Sequence, residues 1–416
     1  MEKKKFRLAT LGCRTNQYES QAYRDQLLGL GYEEASTAEK ADICIVNTCT
    51  VTASADSSSR HQIRQLVKEN EGAKIVVTGC LAERRPDLIS SIDGVTHVVS
   101  NLKKEDLLKQ VLPDEEIPEF SIKNFESHTR AFVKVQDGCN SFCTYCIIPY
   151  VRGRSRSRSV AEVVREVEGL VTSGFQEVVI TGINVGDFDG GGGETLADLM
   201  RAVDRVEGLK RLRLSSIDPD EVNDDLTDAI LNGKTTCHSL HIVLQAGSNV
   251  TLKRMNRKYT RQIFLDTVTR LKCLSPHFTF TTDVIVGFPG ESDADFEETL
   301  TVMREVKFAK VHMFPYSPRE RTRAFLYTDR VAEESVKSRK RKVMQEAEKN
   351  AFELREGYIG KTMRVLTESV EEKEWITGHT ENFLTVLLPK KDHLPNQILD
   401  VILRENSPFG LIGEAV

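Results

Sequence analysis

The stretch Asp137-Gly138-Cys139-Asn140-Ser141-Phe142-Cys143-Thr144-Tyr145-Cys146 sets three residues between its first two cysteines and two between the second pair. A loop of this kind brings three soft thiolates to one point. Such ligands select iron–sulfur, zinc or cuprous copper. A structural zinc site closes its tetrahedron with a fourth Cys or His, and no His lies between Ala131 and Arg158. Three thiolates can instead hold three irons of a 4Fe–4S cube and leave the fourth iron open to a bidentate small molecule.

A second set of cysteines is spread along the first hundred residues. The apolar run Phe6 to Leu11 ends in Gly12-Cys13, Ala41 to Val46 leads into Asn47-Thr48-Cys49, and Lys74 to Thr78 ends in Gly79-Cys80. Helical stretches, Tyr18–Leu30 and Ser57–Asn70, separate them. Strand–helix–strand alternation predicts a parallel sheet covered by helices. The loops after its strands open on one carboxyl edge, where ligands bind. Cys13, Cys49 and Cys80 should therefore converge into a second three-thiolate site. The competing reading is of buried cysteines acting as small hydrophobes, and Cys44, Cys237 and Cys273 are read that way.

From Ala131 the chain repeats strand and helix. Strands are expected at Ala131–Val135, Glu177–Thr181, Arg211–Leu214, Leu240–Leu244, Thr279–Val286 and Val311–Phe314, with helices such as Val160–Ser173, Arg261–Leu274 and Asp293–Val306 between them. Six units are too few for a closed eightfold barrel, so an open, partial barrel is expected. Its site should lie in the loops after the strands, and the cysteine loop follows the first of these strands. Thr181 and Asn184, Ser215 and Ser216, Gln245, and Gly287 follow later ones. Glycine admits a close backbone approach, while Asn and Ser offer hydrogen bonds to amino, carboxylate and ribose groups. Each segment alone reads as a plain turn, and Asp189–Gly193 as a flexible loop without a role.

Ala332 to Gly357 is charged and helical in character. Beyond it, Thr362–Thr367, Trp375–Gly378, Phe383–Leu388 and Gln397–Leu403 read as short strands of a small barrel. The class is α/β: an amino-terminal parallel α/β sheet domain, a partial (β/α)6 barrel and a small antiparallel β-barrel. The 416 residues suit two or three domains, and 39% hydrophobic with 29% charged residues suits a chain with a real core. No apolar run approaches the ~20 residues of a membrane span, and Met1-Glu2-Lys3-Lys4-Lys5 has no hydrophobic region behind it. A cytoplasmic protein without a membrane partner is expected. Nine cysteines then point to metal ligation in a reducing compartment, not disulfides. The net charge of −5 confines any nucleic-acid contact to local basic patches.

With these parts in view, the chain resembles the tRNA methylthiotransferases of the radical S-adenosylmethionine (SAM) superfamily over nearly its whole length. Leu11-Gly12-Cys13, Val46-Asn47-Thr48-Cys49 and Thr78-Gly79-Cys80 match the family's amino-terminal motifs, and Tyr145 before Cys146 matches the superfamily loop. The loop through Ile147-Ile148-Pro149-Tyr150, then Arg152-Gly153-Arg154-Ser155-Arg156-Ser157-Arg158, is similar to the branch that modifies N6-threonylcarbamoyladenosine. Leu252-Lys253-Arg254-Met255-Asn256-Arg257-Lys258-Tyr259 and Phe314-Pro315-Tyr316-Ser317 are similar to it as well. Two departures stand out. Arg321 replaces a usual Gly, and Leu244-Gln245-Ala246-Gly247-Ser248-Asn249 has Ala246 and Asn249 where Ser and Asp are usual.

The resemblance implies a methylthiotransferase domain at 1–118, a radical SAM domain at 125–355 and a TRAM barrel at 357–416. It implies two 4Fe–4S clusters, on Cys139, Cys143 and Cys146 and on Cys13, Cys49 and Cys80. SAM would be held with help from Tyr145, Thr181, Asn184, Ser215, Ser216, Gln245 and Gly287. The expected reaction is methylthiolation of an adenine C2, whose hydrogen is not acidic, so that a cofactor must supply a radical. In the family's scheme the first cluster reduces SAM to methionine and a 5′-deoxyadenosyl radical, and the second carries the sulfur. The expected substrate is adenosine 37 in the tRNA anticodon loop, an unpaired base of the kind proteins read. An electron donor such as flavodoxin or ferredoxin and a monomeric enzyme are expected.

Arg152, Arg154, Arg156 and Arg158 are candidates for phosphate, and one of them, Arg154 or Arg156 by preference, for the carboxylate of the threonylcarbamoyl group. Lys253–Arg261 and Lys337–Lys342 are further basic runs, and the second reads equally as a solvated face. The terminal barrel, with six Lys and Arg against nine Asp and Glu, offers only small patches such as Lys361 with Arg364 or Lys390 with Lys391. The rival readings are a methylthiotransferase acting on isopentenyladenosine 37 or on a ribosomal protein, and a non-catalytic iron–sulfur RNA-binding protein.

Overall fold

The computed structural model describes residues 3–125, 128–368, 374–390 and 393–416, so Lys391 lies outside the described residues. The chain sorts into two compact units, one of Met1–Glu126, Gln136–Arg156 and Ser317–Phe325, the other of Ser127–Val135, Ser157–Tyr316 and Leu326–Val416.

The first unit is built on a parallel sheet of β1 (Lys5–Thr10), β2 (Glu33–Glu34), β3 (Ile43–Thr48), β4 (Lys74–Gly79) and β5 (Val95–Val98), in the order β2-β1-β3-β4-β5. β3 reads Ile-Cys-Ile-Val-Asn-Thr and is buried at every position, as a central parallel strand covered on both faces must be. Its side chains alternate. Ile43 and Ile45 join Phe6, Tyr23 and Leu27 in one core, while Cys44 and Val46 join Ile63 and Leu66 in the other. The two covering helices are α1 (Arg14–Gly29) and α2 (Ala53–Glu69), the latter capped by the Thr52 hydroxyl. Cys44 and Cys237 are buried as expected, but Cys273 is exposed, a correction to its reading as a core residue. It lies one residue from the end of helix Arg261–Leu274, beyond the buried positions Phe264, Thr267, Val268 and Leu271.

The second unit contains the partial barrel. Arg130–Lys134, Glu177–Thr181 and Arg211–Leu214 form one parallel sheet, and Ser216–Ile217, Ser239–Ile242, Thr279–Val286 and Lys310–Pro315 another. Ser215 is the joint between them. Its N–H still donates to Ile180 O at 3.0 Å, and the next residue pairs with His241 instead.

At the amino ends of these strands the carboxy-terminal barrel is anchored. Phe383 lies under the guanidinium groups of Arg130 (5.3 Å) and Arg213 (5.0 Å). Arg213 also pairs with the buried Glu177 at 2.9 Å, and Asn382 donates to His277 O at 2.9 Å. The small barrel is closed by Thr362–Thr367, Trp375–Thr380, Thr385–Pro389, Gly410–Ala415 and Ile398–Ser407. Its last strand, Gly-Leu-Ile-Gly-Glu-Ala, was not expected from a sequence with two glycines. It pairs in parallel with Thr385–Pro389, so one seam departs from the antiparallel pattern.

Gly79 carries Cys80 into position at φ +93°, and a Cβ there would stand 2.5 Å from Asn47 Oδ1 and Thr48 O. Gly31 is similarly left-handed at φ +84° but has open space around it. Gly31→Ala should cost about 1–2 kcal/mol of stability from its backbone conformation. Gly79→Ala should cost a further ~1–3 kcal/mol from the collision. Chemical denaturation of the two variants side by side checks this; equal losses would mean the Gly79 turn can relax.

Candidate active site and metal centres

The ends of β1, β3 and β4 bring the first cysteine set together. Cys13 is the cap residue of α1, Cys49 follows β3 directly, and Cys80 opens the short helix α3 (Cys80–Arg84). A Cβ on Gly12 would meet Cys49 Cβ and Sγ at 2.9 Å, so the first loop runs against the second cysteine. Burial pushes the Cys49 thiol up to about 12, with Cys80 and Cys13 adding to the rise and Arg152 opposing it. Burial raises Cys80 as well, again opposed by Arg152. Cys13 is exposed. The set is thus two buried thiols and one open to solvent, and the buried pair becomes thiolate only with a compensating cation.

The second cysteine set belongs to the same unit. Cys139 and Cys143 are 9% exposed and Cys146 is half-buried. Backbone bonds fix the loop: Cys139 N–H to Gly153 O (3.1 Å), Cys146 N–H to Cys143 O (3.0 Å) and Ala324 N–H to Thr144 O (2.7 Å). The Cys139 thiol accepts the Ser141 N–H at 3.4 Å. Gly138 is at φ +75°, and a Cβ there would stand 2.1 Å from Arg154 O, so only glycine lets the return chain pass. Cys80 packs against Ile147 and Val151 just beyond Cys146, so the two sets adjoin. Among the described residues no three His, Cys, Asp or Glu are close enough to share one metal ion. Thiolates that each hold a different iron of a cube stand farther apart than the ligands of a single ion.

A buried ionic network fills the space beside both sets. Arg152, with a side chain 0% exposed, donates from Nη1 to Glu19 Oε1 at 3.0 Å and to Asp137 Oδ1 at 2.8 Å. Its Nη2 donates to Asn16 Oδ1, and Lys104 Nζ reaches Glu19 at 2.6 Å and also contacts Asp137. Asn16 in turn donates to Leu11 O (2.6 Å) and Thr48 O (3.1 Å), tying the loops that carry Cys13 and Cys49. Asp137 holds the Gly138 N–H at 2.8 Å, two residues before Cys139. Asn16, Glu19 and Lys104 were not singled out from sequence, and Asp137 appeared there only as the start of the cysteine-loop motif; the one other local signal is that Asn16 follows Cys13 by one helical turn.

The four arginines of the Arg152–Arg158 run have different settings. Arg152 is spent on Glu19 and Asp137, which speaks against it as an RNA contact. Arg156 donates to Arg152 O at 3.1 Å and lies 3.7 Å from Asp137. Arg158, in the second unit, pairs with Glu166 at 2.6 Å and donates to Lys134 O. Arg154 is exposed, has no carboxylate partner among the described residues, and lies 4.3 Å above the Phe142 ring.

Along the carboxyl edge of the partial barrel, Ser215 Oγ and Gln245 Oε1 are buried without a hydrogen-bond partner among the described residues. Gln245 is held at φ +61°, a conformation that non-glycine residues adopt rarely. Two orphaned polar atoms on successive post-strand loops suit a bound polar molecule. Thr181 is buried and Ser216 half-buried. Asn184 donates to Glu221 Oε1 at 3.0 Å, and the Gly287 N–H is taken by Glu291 at 2.7 Å. Tyr145 is half-buried in the cysteine loop of the first unit.

The comparisons with known proteins agree along the chain. Residues 5–100 match the family described as Uncharacterized protein family UPF0004, and residues 133–303 match the Radical SAM superfamily. The chain is 49% identical over 414 residues to a threonylcarbamoyladenosine tRNA methylthiotransferase (MtaB) of Chlamydia pneumoniae, covering 99% of this chain and 98% of the relative. The chain belongs to the tRNA methylthiotransferases of the radical SAM superfamily. A Bacillus subtilis methylthiotransferase of the same name is 36% identical over 96% of this chain and 94% of its own. A tRNA-2-methylthio-N(6)-dimethylallyladenosine synthase of Clostridium perfringens is 34% identical over 100% of this chain and 98% of its own. Among solved structures, the radical SAM methyltransferase TsrM of Kitasatospora setae with tryptophan and a SAM analogue bound is similar in fold, with TM-score 0.56 at 14% identity. That likeness covers 89% of this chain and 79% of TsrM. Membership of this superfamily brings SAM and a 4Fe–4S cluster to the methylthiotransferase as cofactors. No helix among the described residues is long and apolar enough to cross a membrane.

Two measurements probe this site's electrostatics. Arg152→Leu leaves Glu19 and Asp137 short of a buried cation and should cost about 3–5 kcal/mol; a loss under about 1 kcal/mol in chemical denaturation would mean that water enters the network. Burial, reinforced by the Asp218 carboxylate, pushes Glu221 up to about 7 from an ordinary 4.5. Between those values the folded chain holds a proton that the unfolded chain has lost. Glu221 therefore makes stability fall as pH rises from about 4.5 through about 7. Glu221→Gln should flatten that slope in a pH series of melting temperatures, and an unchanged slope would place the titration elsewhere.

Proposed function

We propose that this methylthiotransferase modifies C2 of N6-threonylcarbamoyladenosine at position 37 of tRNA, with one 4Fe–4S cluster on Cys139, Cys143 and Cys146 and a second on Cys13, Cys49 and Cys80. The observation that carries the two-site reading is the packing of Cys80 against Ile147 and Val151, which sets the two cysteine sets side by side within one unit. The choice of adenosine is supported by 49% identity to the threonylcarbamoyladenosine enzyme against 34% to the dimethylallyladenosine synthase.

When bound, SAM and the clusters supply the radical, the methyl group and the sulfur, chemistry that no side chain here could provide at an unacidic carbon. The chain's own part is binding and orientation. Cys139, Cys143 and Cys146 would hold three irons of the cluster and leave the fourth open; in the second unit, Ser215 and Gln245 offer buried oxygens suited to a polar ligand. Arg154, exposed eight residues beyond Cys146, is suited to read the threonylcarbamoyl carboxylate through paired hydrogen bonds, a geometry that Lys lacks. Arg158 holds Lys134 O and Glu166 and so positions the chain after the loop. An electron donor such as flavodoxin or ferredoxin, a cytoplasmic location and a monomeric enzyme complete the reading.

The direct test is mass spectrometry of tRNA nucleosides from a strain lacking the protein. The methylthio group should vanish from threonylcarbamoyladenosine and persist on isopentenyladenosine; the reverse pattern overturns the choice of substrate. For Arg154→Ala, kcat/KM on tRNA bearing the threonylcarbamoyl group should fall by an amount equivalent to ~2–5 kcal/mol. On tRNA lacking the group the penalty should largely disappear. An equal penalty on both RNAs would make Arg154 a phosphate contact.

A further inference from the structure

The strap Ser317–Phe325 is held in the same unit as the cysteine loop. At one end Arg319 pairs with Asp56 at 2.7 Å, and at the other the buried Ala324 donates its N–H to Thr144 O. Between these anchors stands Arg321. Its backbone keeps the conformation a glycine would favour, φ +73°, so the arginine is carried in a setting that L side chains rarely adopt. Nothing in the backbone calls for it there, so the reason lies in its side chain. The guanidinium lies 5.2 Å from the centre of the Tyr150 ring. Tyr150 meets Phe142 edge-on, with centroids 6.3 Å apart at 89°, and Phe142 lies under Arg154 at 4.3 Å. The result is a ladder, Arg321–Tyr150–Phe142–Arg154, flanking the cysteine loop.

Three features say what this ladder fits. Arg321, Arg323 and Arg154 are exposed and have no carboxylate partner among the described residues, while nearby Glu320 is taken by Arg84 and Arg85. In a chain of net charge −5 this is a local excess of cations. Tyr150 and Phe325 remain 38% and 40% exposed beside them, so flat apolar faces are interleaved with the charges. Guanidinium planes and aromatic rings at a polyanion-attracting surface are the elements that take unpaired nucleotides, because every base has a face to stack and a phosphate to neutralise. The anchors on both sides of Arg321 hold the strap's backbone in place before the ligand arrives, which limits the entropy lost on binding.

We propose that Arg321, backed by Tyr150, is a stacking platform for an unpaired nucleobase of the tRNA anticodon loop. The proposal rests on the reading that the substrate is a tRNA loop, and not on which modification that loop carries.

The test measures binding of the full-length, cluster-loaded enzyme to fluorescent anticodon stem-loop RNAs with and without the threonylcarbamoyl group. Arg321→Gly relieves the unfavourable backbone conformation, so folding is not at risk; melting temperature and iron content verify this. The expected result is a loss of affinity of roughly tenfold on both RNAs, within the range for removing one stacking partner. KM for tRNA should rise by the same factor while kcat at saturation holds. Arg321→Lys keeps the charge without the plane and should lose nearly as much, as should Tyr150→Leu. Arg321→Gly binding both RNAs like the wild type would overturn the proposal, and so would a fully active Arg321→Lys, which would make the contact a phosphate. A wild type that binds both RNAs equally, with Arg321→Gly still weaker, would remove the choice of modified adenosine and leave the platform standing. A wild type that binds neither RNA would remove both.

Discussion

The first unit depends on burying Arg152 and Lys104 with Glu19 and Asp137. All four side chains are no more than 6% exposed. Taking such charges out of water is expensive, and apolar side chains of similar volume usually give equal or greater stability. The network is therefore poorly explained as a stabilising device. It is well explained as a positioning one, because its members belong to segments that must keep register. Glu19 and Asn16 lie on the helix after Cys13, and Asn16 also holds the loop before Cys49. Asp137 and Arg152 bracket the loop of Cys139, Cys143 and Cys146. A charge network satisfied in only one arrangement specifies that arrangement more sharply than a greasy contact would.

The same placement bears on the thiols. Arg152 opposes the burial-driven rise of Cys49 and Cys80, and Lys104 opposes that of Cys80. A buried thiolate needs such a neighbour or a metal. Glu19 and Asp137, paired with both cations, keep the network from carrying a large net charge of its own. The proposed second cluster would thus lie near a charge-balanced network whose cations favour its thiolates.

What the sequence made legible follows the range of each interaction. The Cys139–Cys146 loop is local, so its spacing alone displays the chemistry. Cys13, Cys49 and Cys80 are remote from one another, yet the rule that parallel strands share a carboxyl edge brings them together, and β1, β3 and β4 place them there. Arg152 defeated sequence reading because it stands in a run of alternating arginines, which reads as a set of phosphate contacts. Its partner Glu19 is 133 residues away and carries no local mark. Phe383 was read as a strand residue, but it lies before the strand Thr385–Pro389 at φ +65°, and no local signal marked it as the ring that Arg130 and Arg213 clasp at the foot of the barrel. The closing strand Gly410–Ala415 was hidden by glycines, of which Gly413 is required because a Cβ there would meet Val401 Cγ1 at 2.3 Å.

The central claim is that two separate cluster sites are assembled side by side by one unit. The most direct measurement is the iron and sulfide content, per folded chain, of the enzyme with Cys13, Cys49 and Cys80 all changed to Ala, after anaerobic reconstitution beside the wild type. The account predicts about eight irons in the wild type and about four in the variant, with reductive SAM cleavage retained and methylthiolation lost. A variant that binds as much iron as the wild type, or a wild type that never exceeds about four, would contradict it.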